Sequence, residues 1–581
     1  MTSTENPTTN GHPRTGTDAG NVAAARAALD VMLTDAAVSQ GRASRFLDPV
    51  ATAKLTGALV RRPRVLARRL GGLGAELARV AAGSSELAPA KSDRRFSDRA
   101  WRENWMFHRL MQAYLELSGT VDGLIDDAGL EWQADVQVRF TLGNLLDAIA
   151  PTNFPLTNPV VLKETIDRGG ANLVRGSRRL VRDVSKGRLP AMVDTSKFEV
   201  GGNLALTVGS VVLQTDVFEL IQYAPRTAEV YETPLLIVPP TINKYYVLDL
   251  APGRSLVEYL VGQGHQVFMV SWRNPEREQG TFDFDTYAGA TLEAGRAAAG
   301  IAAHESVNVM ATCSGAIIAG GALGHLAGEG RLGSTSSLTL MVCAIDTTRA
   351  GTVSALATKE MAATAVAQSA RKGYLTSEAL ASVFAWLRPN DLIWNYVVNN
   401  YWLGHEPPAF DILYWNQDGV RLAAGLHRDF VNLAMQNALA TPRGFAVLGT
   451  PVDLGEVTVD SYIVAGASDH IVPWRNAYAS TQLLGGDTRF VLSASGHIQA
   501  LINPPGREGA ESRSSFQVAD EYPADPDDWR AGTVTKRGSW WPDYIEWLST
   551  RSGALKAAPT TLGNRRYKAQ AKAPGTYVHA V

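Results

Sequence analysis

Cysteine is scarce in this chain of 581 residues, in which only Cys313 and Cys343 occur. Two cysteines cannot build the disulfide framework that holds many small secreted domains together. The N-terminus also lacks the basic and then apolar layout of a signal peptide, and no uninterrupted apolar run reaches the length of a transmembrane helix. These absences predict a cytoplasmic protein without a membrane-spanning segment.

Excess charge and metal-ligand patterns are absent as well. The net charge is -2 at pH 7, which argues against a dedicated nucleic-acid-binding protein. The ten histidines do not group with the spacing of metal ligands, so we expect no metal site. The composition, with 45% hydrophobic and 19% charged residues, is typical of a globular protein with a large core.

Three regions follow from the patterning along the chain. Residues 1–20 are rich in Thr, Asn, Gly and Pro, and we expect a disordered tail. Residues 21–197 are predicted to form a mainly helical N-terminal domain, and residues 198–581 a larger domain built around a sheet. The aromatic candidates for core or docking positions in the helical region are Trp101, Trp105 and Phe107.

One helical stretch of the N-terminal region is both basic and amphipathic. It runs from Leu59 to Ala82 and reads LVRRPRVLARRLGGLGAELARVAA. Such a helix can contact a lipid or granule surface. It can equally be part of a helical pair that packs on the main domain with its arginines in solvent, as most amphipathic helices do.

Short, nearly all-apolar stretches separated by helical patterns fill the rest of the chain. Continuous apolar strands that alternate with helices are typical of a mostly parallel sheet covered on both faces. Residues 198–223 predict an antiparallel hairpin at the edge of this sheet. The predicted strands are Leu235–Val238, Gln266–Ser271, Val307–Met310, Leu338–Ala344, Tyr462–Ala465 and Phe490–Leu492.

The third of these strands leads into a candidate nucleophile. The segment ATCSG, residues 311–315, stands where the strand stops and an Ala/Ile/Gly-rich helix begins. It follows the pattern small-x-nucleophile-x-small of a nucleophile elbow, with alanine in the first small position. Cys313 is therefore the predicted nucleophile, whereas Cys343, inside an apolar strand, is predicted to be a buried structural residue.

Two later strands are followed by an acid and a base. Asp469 follows the strand at residues 462–465, and His497 follows the strand at residues 490–492. An imidazole can take the proton of a thiol, and a carboxylate can fix the tautomer of the imidazole. The order Cys313, Asp469, His497 is that of an α/β-hydrolase triad, with Asp346 as a reserve candidate for the acid.

Other residues complete the predicted site. The N–H of Ser314 and an N–H from the loop after strand 235–238, that of Thr241 or Ile242, are predicted to form an oxyanion hole. His470 is a candidate for support by hydrogen bonding or for a structural role in its loop. Residues 346–448 interrupt the strand alternation with a Trp/Tyr/Asn-rich insertion, which is either a lid over the site or a second helical core.

Several stretches resemble polyhydroxyalkanoate synthases, and the resemblance runs from about residue 93 to residue 581. The ATCSG, PPAFDILYWN, GSWWP and APGTYVH segments are more similar to the single-polypeptide class II enzymes, which use medium-chain monomers, than to class I. Family motifs also contain Asn243, Trp415, Asn416 and Asp418, for which a folding role and substrate contact are both open. The other stretches are VPPTINKYYVLDLAPGRSLVEYL, VSWRNPE, FAWLRPNDLIWNYVVNNYWLG, AGASDHIVPW and SGHIQALINPPG.

The resemblance implies an activity. Members of this family polymerise (R)-3-hydroxyacyl-CoA with release of CoA through an enzyme-bound thioester, which implies a nucleophilic role for Cys313, a base role for His497 and assistance by Asp469. It implies no cofactor, since the CoA thioester is the substrate. It also implies a homodimer, a growing polyester chain as partner and a location at polyester granules in the cytoplasm.

Two rival functions fit parts of the sequence. A thioesterase, lipase-like hydrolase or depolymerase would use the same frame, although such enzymes commonly use serine as the nucleophile. A non-catalytic granule coat protein would use the basic N-terminal helices as its anchor. Loss of CoA release on substitution of Cys313 separates both enzymes from the coat protein, and the product separates polymerase from hydrolase.

Overall fold

The computed structural model describes residues 49–347, 359–469, 471–506 and 514–581. The predicted tail at residues 1–20 lies outside the described residues. Within the described ranges, no helix combines the length and the apolar character needed to cross a membrane.

Helices make up most of residues 49–197. Asn104 caps one of them, because its side chain accepts a hydrogen bond from the N–H of Met106 at 3.0 Å. This region confirms the predicted helical N-terminal part. The helices are α1 (Pro49–Val60), α2 (Pro63–Ala82), α3 (Ala100–Glu103), α4 (Trp105–Ala128), α5 (Trp132–Ala148), α6 (Pro159–Asp167) and α7 (Ala171–Ser185).

The basic stretch 59–82 is divided between α1 and α2. Pro63 occupies the first position of α2, where its missing N–H costs nothing. Helix α2 packs along α4, and Arg69 Nε donates to Asp127 Oδ2 at 2.7 Å. These contacts favour packing over lipid contact as the role of this stretch. Trp101 and Phe107 are buried in the core of the helical region, whereas Trp105 is 68% exposed.

One sheet, of eleven strands among the described residues, organises the remainder. Its strands are β1 (Gly209–Gln214), β2 (Phe218–Tyr223), β4 (Leu235–Val238), β5 (Val267–Trp272), β6 (Val307–Thr312), β7 (Thr335–Met341), β12 (Ser461–Gly466), β13 (Thr488–Ser493), β14 (Ser515–Val518), β15 (Val534–Arg537) and β17 (Ala571–Lys572), whereas β3 (Glu229–Tyr231) and β16 (Leu555–Ala557) form a separate pair. The order across the sheet is β15-β14-β13-β12-β7-β6-β4-β5-β2-β1-β17, and the six strands from β13 to β5 are parallel while both flanks are antiparallel. The parallel centre and the β1–β2 hairpin confirm the predicted α/β fold.

Both faces of the sheet are covered. Leu236 and Val238 of β4 belong to one buried cluster, and Leu235 and Ile237 belong to the other. Successive side chains of a strand point to opposite faces, so a strand covered on both sides must be apolar throughout. The covering helices are α8 (Leu256–Gly262), α9 (Phe284–Ala302), α10 (Ser314–Gly328), α15 (Trp474–Leu483), α16 (His497–Leu501), α17 (Pro526–Ala531) and α18 (Trp541–Ser549).

Strand β7 differs from its predicted position. The sequence predicts a strand over 338–344, but the observed strand runs over 335–341. Val342 has φ +46°, a left-handed backbone that a β-branched residue rarely adopts and that takes the chain out of the sheet. Val342 and Cys343 are therefore buried, and Ala344 is partly buried, beyond the end of the strand rather than within it.

A helical insertion separates β7 from β12. Its middle contains two π-helical segments, Asn390–Trp394 and Val397–Trp402, a rare form that occurs often at functional sites. Two pairs of two-residue strands also lie between β7 and β12, namely β8 (Tyr374–Leu375) with β9 (Leu422–Ala423) and β10 (Ala446–Val447) with β11 (Thr450–Pro451). Its α-helices are α11 (Lys359–Lys372), α12 (Ser377–Leu387), α13 (Asp411–Gln417) and α14 (Ala424–Gln436).

The C-terminal segment is anchored by a buried carboxylate. Glu219 of β2 is 1% exposed and accepts hydrogen bonds from the N–H of Thr576 at 2.9 Å, from its hydroxyl at 2.6 Å and from the N–H of Tyr577 at 3.0 Å. A buried charge needs such donors. Glu219 therefore joins the hairpin to a segment more than 350 residues away.

Replacing this carboxylate is expected to destabilise the fold. Glu219→Ala should lower the free energy of unfolding by about 2–3 kcal/mol, because the donors on Thr576 and Tyr577 lose their acceptor. Thermal unfolding and the rate of carboxypeptidase digestion would measure the effect. The matched control is Glu229→Ala, an exposed carboxylate of β3 (Glu229–Tyr231), for which a change below about 0.5 kcal/mol is expected. Equal losses in both variants would contradict the anchoring role.

Candidate active site

The candidate nucleophile lies on a strained turn. Cys313 connects β6 to α10 with φ +51° and ψ −122°, a backbone conformation that L-residues rarely adopt. Its N–H donates to the carbonyl oxygen of Met341 at 2.9 Å, which fixes the turn to the neighbouring strand. The predicted strand-to-helix elbow is therefore present, and its side chain faces a cavity.

Gly315 allows the elbow to close. A Cβ atom at this position would lie 2.3 Å from the carbonyl oxygen of Pro239 and 2.8 Å from that of Val238. Real Cβ atoms do not come so near backbone oxygens, so only glycine fits. The first turn of α10 is thus pressed against the loop that follows β4.

The predicted acid and base meet beside the cysteine. His497 Nδ1 lies 2.7 Å from Asp469 Oδ2, although 28 residues separate them. The other oxygen of Asp469 accepts the N–H groups of Ile471 at 2.8 Å and Val472 at 2.9 Å. Because β6, β12 and β13 are parallel, the turns at their carboxyl ends lie at the same edge of the sheet.

The electrostatics favour a charged imidazole. Burial by itself would lower the pKa of His497, but the Asp469 carboxylate and hydrogen bonds to Asp469 and Cys313 raise this pKa above its ordinary value of 6.5. The structure thus places the thiol of Cys313, the imidazole of His497 and the carboxylate of Asp469 together at one edge of the sheet.

The remaining candidates have different surroundings. Asp346 Oδ1 accepts from Asn437 Nδ2 at 3.1 Å, so this reserve acid is not the carboxylate that holds His497. Cys343 is 3% exposed, and burial raises the pKa of its thiol well above the usual range, which keeps it protonated. His470 lies outside the described residues.

The two oxyanion donors predicted in the loop after β4 differ in their contacts. The N–H of Thr241 donates to Ser314 Oγ at 2.9 Å and is therefore already used. Ile242 lines the cavity together with Ser314, whereas Thr241 is 2% exposed and does not. Of the two predicted donors in this loop, the geometry favours Ile242, paired with the N–H of Ser314 at the first turn of α10.

An apolar cavity of about 280 Å³ opens onto Cys313 and His497. The family-motif residues Asn243, Trp415 and Asn416 contribute to its wall. Val342, the second non-glycine residue with a left-handed backbone at this edge, lines it as well, and no feature of the sequence indicated that strain. The insertion and the sheet edge share the cavity, whose aliphatic lining includes Ile317, Leu380, Leu392, Ile412, Leu433, Leu439 and Leu501.

An ion pair joins the insertion to the same loop. Lys244 Nζ lies 2.5 Å from Asp418 Oδ1, and the hydroxyl of Tyr246 donates to Asp418 Oδ2 at 2.8 Å. Lys244 is buried and Asp418 is partly buried. Asp418 belongs to a family motif, but no local pattern pairs it with Lys244, which is 174 positions away.

Two family models match parts of the chain. Residues 92–260 match the N-terminal region of poly-beta-hydroxybutyrate polymerase, and residues 350–504 match the alpha/beta hydrolase fold. The chain is also similar to an esterase from Exiguobacterium antarcticum of known structure, with 15% identity and a TM-score of 0.29 over 50% of this chain and 92% of that chain.

Curated relatives match most of the chain. It is 42% identical over 521 residues to poly(3-hydroxyalkanoate) polymerase 1 of Ectopseudomonas oleovorans, covering 90% of this chain and 92% of the relative. It is 40% identical over 508 residues to the poly(3-hydroxyalkanoate) polymerase subunit PhaC of Cupriavidus necator, covering 86% and 85%. The resemblance read from the sequence motifs is confirmed: the chain belongs to the poly(3-hydroxyalkanoate) polymerase family.

Proposed function

We propose that this chain polymerises (R)-3-hydroxyacyl-CoA into polyhydroxyalkanoate with release of CoA, through a thioester on Cys313. One observation carries the proposal: in a member of this family, a thiol on a strained elbow faces an apolar cavity beside a histidine that is held by a buried carboxylate. This arrangement can transfer an acyl group without any further group. The substrate is itself an activated thioester.

The first step loads the enzyme. The Cys313 thiolate attacks the thioester carbonyl, the new C–S bond forms, and the bond to CoA breaks. The departing CoA thiolate takes the proton held by His497, so CoA leaves as a thiol. Thiolates are good nucleophiles and good leaving groups, which suits a residue that must accept and pass on an acyl chain repeatedly.

The second step lengthens the chain. The 3-hydroxyl of the next monomer gives its proton to His497 and attacks the Cys313 thioester, which forms an ester bond and frees the thiolate. The extended chain then carries the CoA thioester of the new monomer, and Cys313 attacks this thioester and releases CoA. Asp469 assists by holding His497 in place and by stabilising its charged form.

Each attack places negative charge on the former carbonyl oxygen. The N–H groups of Ser314 and Ile242 are the proposed donors to this oxygen, for which preorganised backbone donors are well suited. The insertion, proposed as a lid, keeps the cavity apolar and limits the access of water to the thioester. A hydrolase on the same frame would need water at this carbonyl, and the apolar lining favours polymerisation instead.

The monomer length, the oligomeric state and the domain boundaries are proposed as well. We propose medium-chain monomers, because the cavity is lined by aliphatic side chains that can surround an acyl tail. Homodimer formation and attachment to polyester granules stay predictions that rest on the resemblance. The proposed domains are the helical N-terminal domain, residues 21–197, and the catalytic domain, residues 198–581. The insertion at residues 346–448 belongs to the catalytic domain.

Removal of the thiol should abolish activity. Cys313→Ala is expected to release no CoA and to form no acyl-enzyme, since the residue that carries the chain is gone, while thermal unfolding stays close to wild type. Release of CoA and peptide mass mapping after incubation with (R)-3-hydroxyoctanoyl-CoA would measure both effects. An acyl adduct on Cys343, or polymer made by the variant, would contradict the assignment.

The Asp469 carboxylate should set the titration of His497. In Asp469→Asn the charge that raises this pKa is lost, so the imidazole should give up its proton at a lower pH than in wild type. NMR of histidine labelled at Cε1 would measure the shift, with His497→Ala identifying the resonance. Polymerisation should fall by about 100-fold or more. An unchanged titration would contradict the role of Asp469.

Monomer preference tests the aliphatic cavity. Each methylene that the cavity buries contributes about 0.8 kcal/mol, so (R)-3-hydroxyoctanoyl-CoA should show a lower KM than (R)-3-hydroxybutyryl-CoA. Initial rates of CoA release with the two substrates would measure this. Insoluble polymer is the expected product, and free 3-hydroxy acid in its place would support the hydrolase instead.

A further inference from the structure

The ion pair of Lys244 and Asp418 lies where the insertion contacts the oxyanion loop, residues 241–246. The carboxylate is engaged on both sides, since Lys244 Nζ contacts Oδ1 at 2.5 Å and the hydroxyl of Tyr246 contacts Oδ2 at 2.8 Å. Lys244 is buried, so removal of the Asp418 carboxylate leaves its ammonium group without a partner. The pair therefore has a strong preference for one arrangement of the two segments.

Backbone contacts beside the ion pair transmit that arrangement to Ile242. The N–H of Val420 donates to the carbonyl oxygen of Ile242 at 3.0 Å, and Asn243 forms an antiparallel bridge with Gly419. The indole N–H of Trp415 donates to the carbonyl oxygen of Lys244 at 2.7 Å. The segment from Trp415 to Val420 thus holds the oxyanion loop from the insertion side.

The elbow holds the same loop from the other side. The N–H of Thr241 donates to Ser314 Oγ at 2.9 Å, and the two hydroxyls lie 3.1 Å apart. Thr241 is thus bonded to the residue that follows the nucleophile, and Ile242 is bonded to the insertion through its carbonyl oxygen. The peptide unit that carries the N–H of Ile242 lies between these two contacts.

We propose that Lys244 and Asp418 are positioning residues that hold the N–H of Ile242 at the oxyanion, so that the site is competent only when the segment 415–420 is seated on the loop. The inference rests on the proposed function and extends it to how the insertion and the chemistry are coupled. Neither side chain touches the substrate. Both act through the backbone of Ile242.

Two reactions of Cys313 distinguish the positioning role of Lys244 and Asp418 from a general loss of structure. They are acylation by a CoA thioester and alkylation by iodoacetamide. Acylation by a CoA thioester creates an oxyanion, whereas alkylation by iodoacetamide does not. Loss of one oxyanion donor typically costs about 100- to 1,000-fold in kcat. Because the donor is displaced rather than removed, Lys244→Met and Asp418→Asn are expected to slow acylation by about 10- to 100-fold.

The experiment compares single-turnover acylation by (R)-3-hydroxyoctanoyl-CoA with iodoacetamide alkylation in the full-length protein. In both variants, the rate constant of acylation should fall. The substrate concentration that gives half of the maximal acylation rate, and the alkylation rate, should stay within about threefold of wild type. Asp418→Asn keeps the shape of the side chain and serves if Lys244→Met fails to fold. The matched control is Arg254→Met, which breaks an ion pair between Arg254 and Asp411 at the other end of α13, away from the loop.

The outcomes separate three cases. Slow acylation with normal alkylation in the two variants, and near-normal acylation in Arg254→Met, supports the positioning role. Wild-type acylation in both variants, or an equal fall in acylation and alkylation, overturns it. A wild-type protein that forms no acyl-enzyme on Cys313 overturns the proposed function itself.

Discussion

The site depends on the close approach of Gly315 to the end of β4. Because no Cβ separates them, the first turn of α10 lies directly against the carbonyl oxygens of Val238 and Pro239. This contact forces the strained turn at Cys313 and brings Ser314 within hydrogen-bond distance of Thr241. One packing constraint thus positions both the proposed nucleophile and the loop that holds the proposed oxyanion donor.

The buried carboxylate of Asp469 orients the histidine of the site. Asp469 has no exposed side-chain surface, yet its two oxygens accept two backbone N–H groups and the imidazole of His497. The carboxylate keeps the imidazole oriented, and its charge raises the pKa of His497. A carboxylate on one loop thereby favours the protonated form of a residue on the next loop.

The insertion has a dual role in this interpretation. Its aliphatic side chains form part of the wall of the cavity, and its segment 415–420 is joined by hydrogen bonds and an ion pair to the oxyanion loop. A lid that only excluded solvent would not need a buried lysine in the loop below it. In the proposed mechanism, closure of the cavity and assembly of the oxyanion site are therefore one event, which would protect the thioester from water.

The α/β fold and most strand positions, to within two or three residues, could be predicted from the sequence, because apolar runs and small-residue turns are local patterns. The meeting of Cys313, Asp469 and His497 at one edge of the sheet could also be predicted, since each of them follows a strand. The lining of the cavity by Ile242 rather than Thr241, the end of β7 at Met341 and the pairing of Lys244 with Asp418 could not. These features arise where segments distant along the chain pack together, and no local pattern records which of two neighbouring residues then lines the cavity.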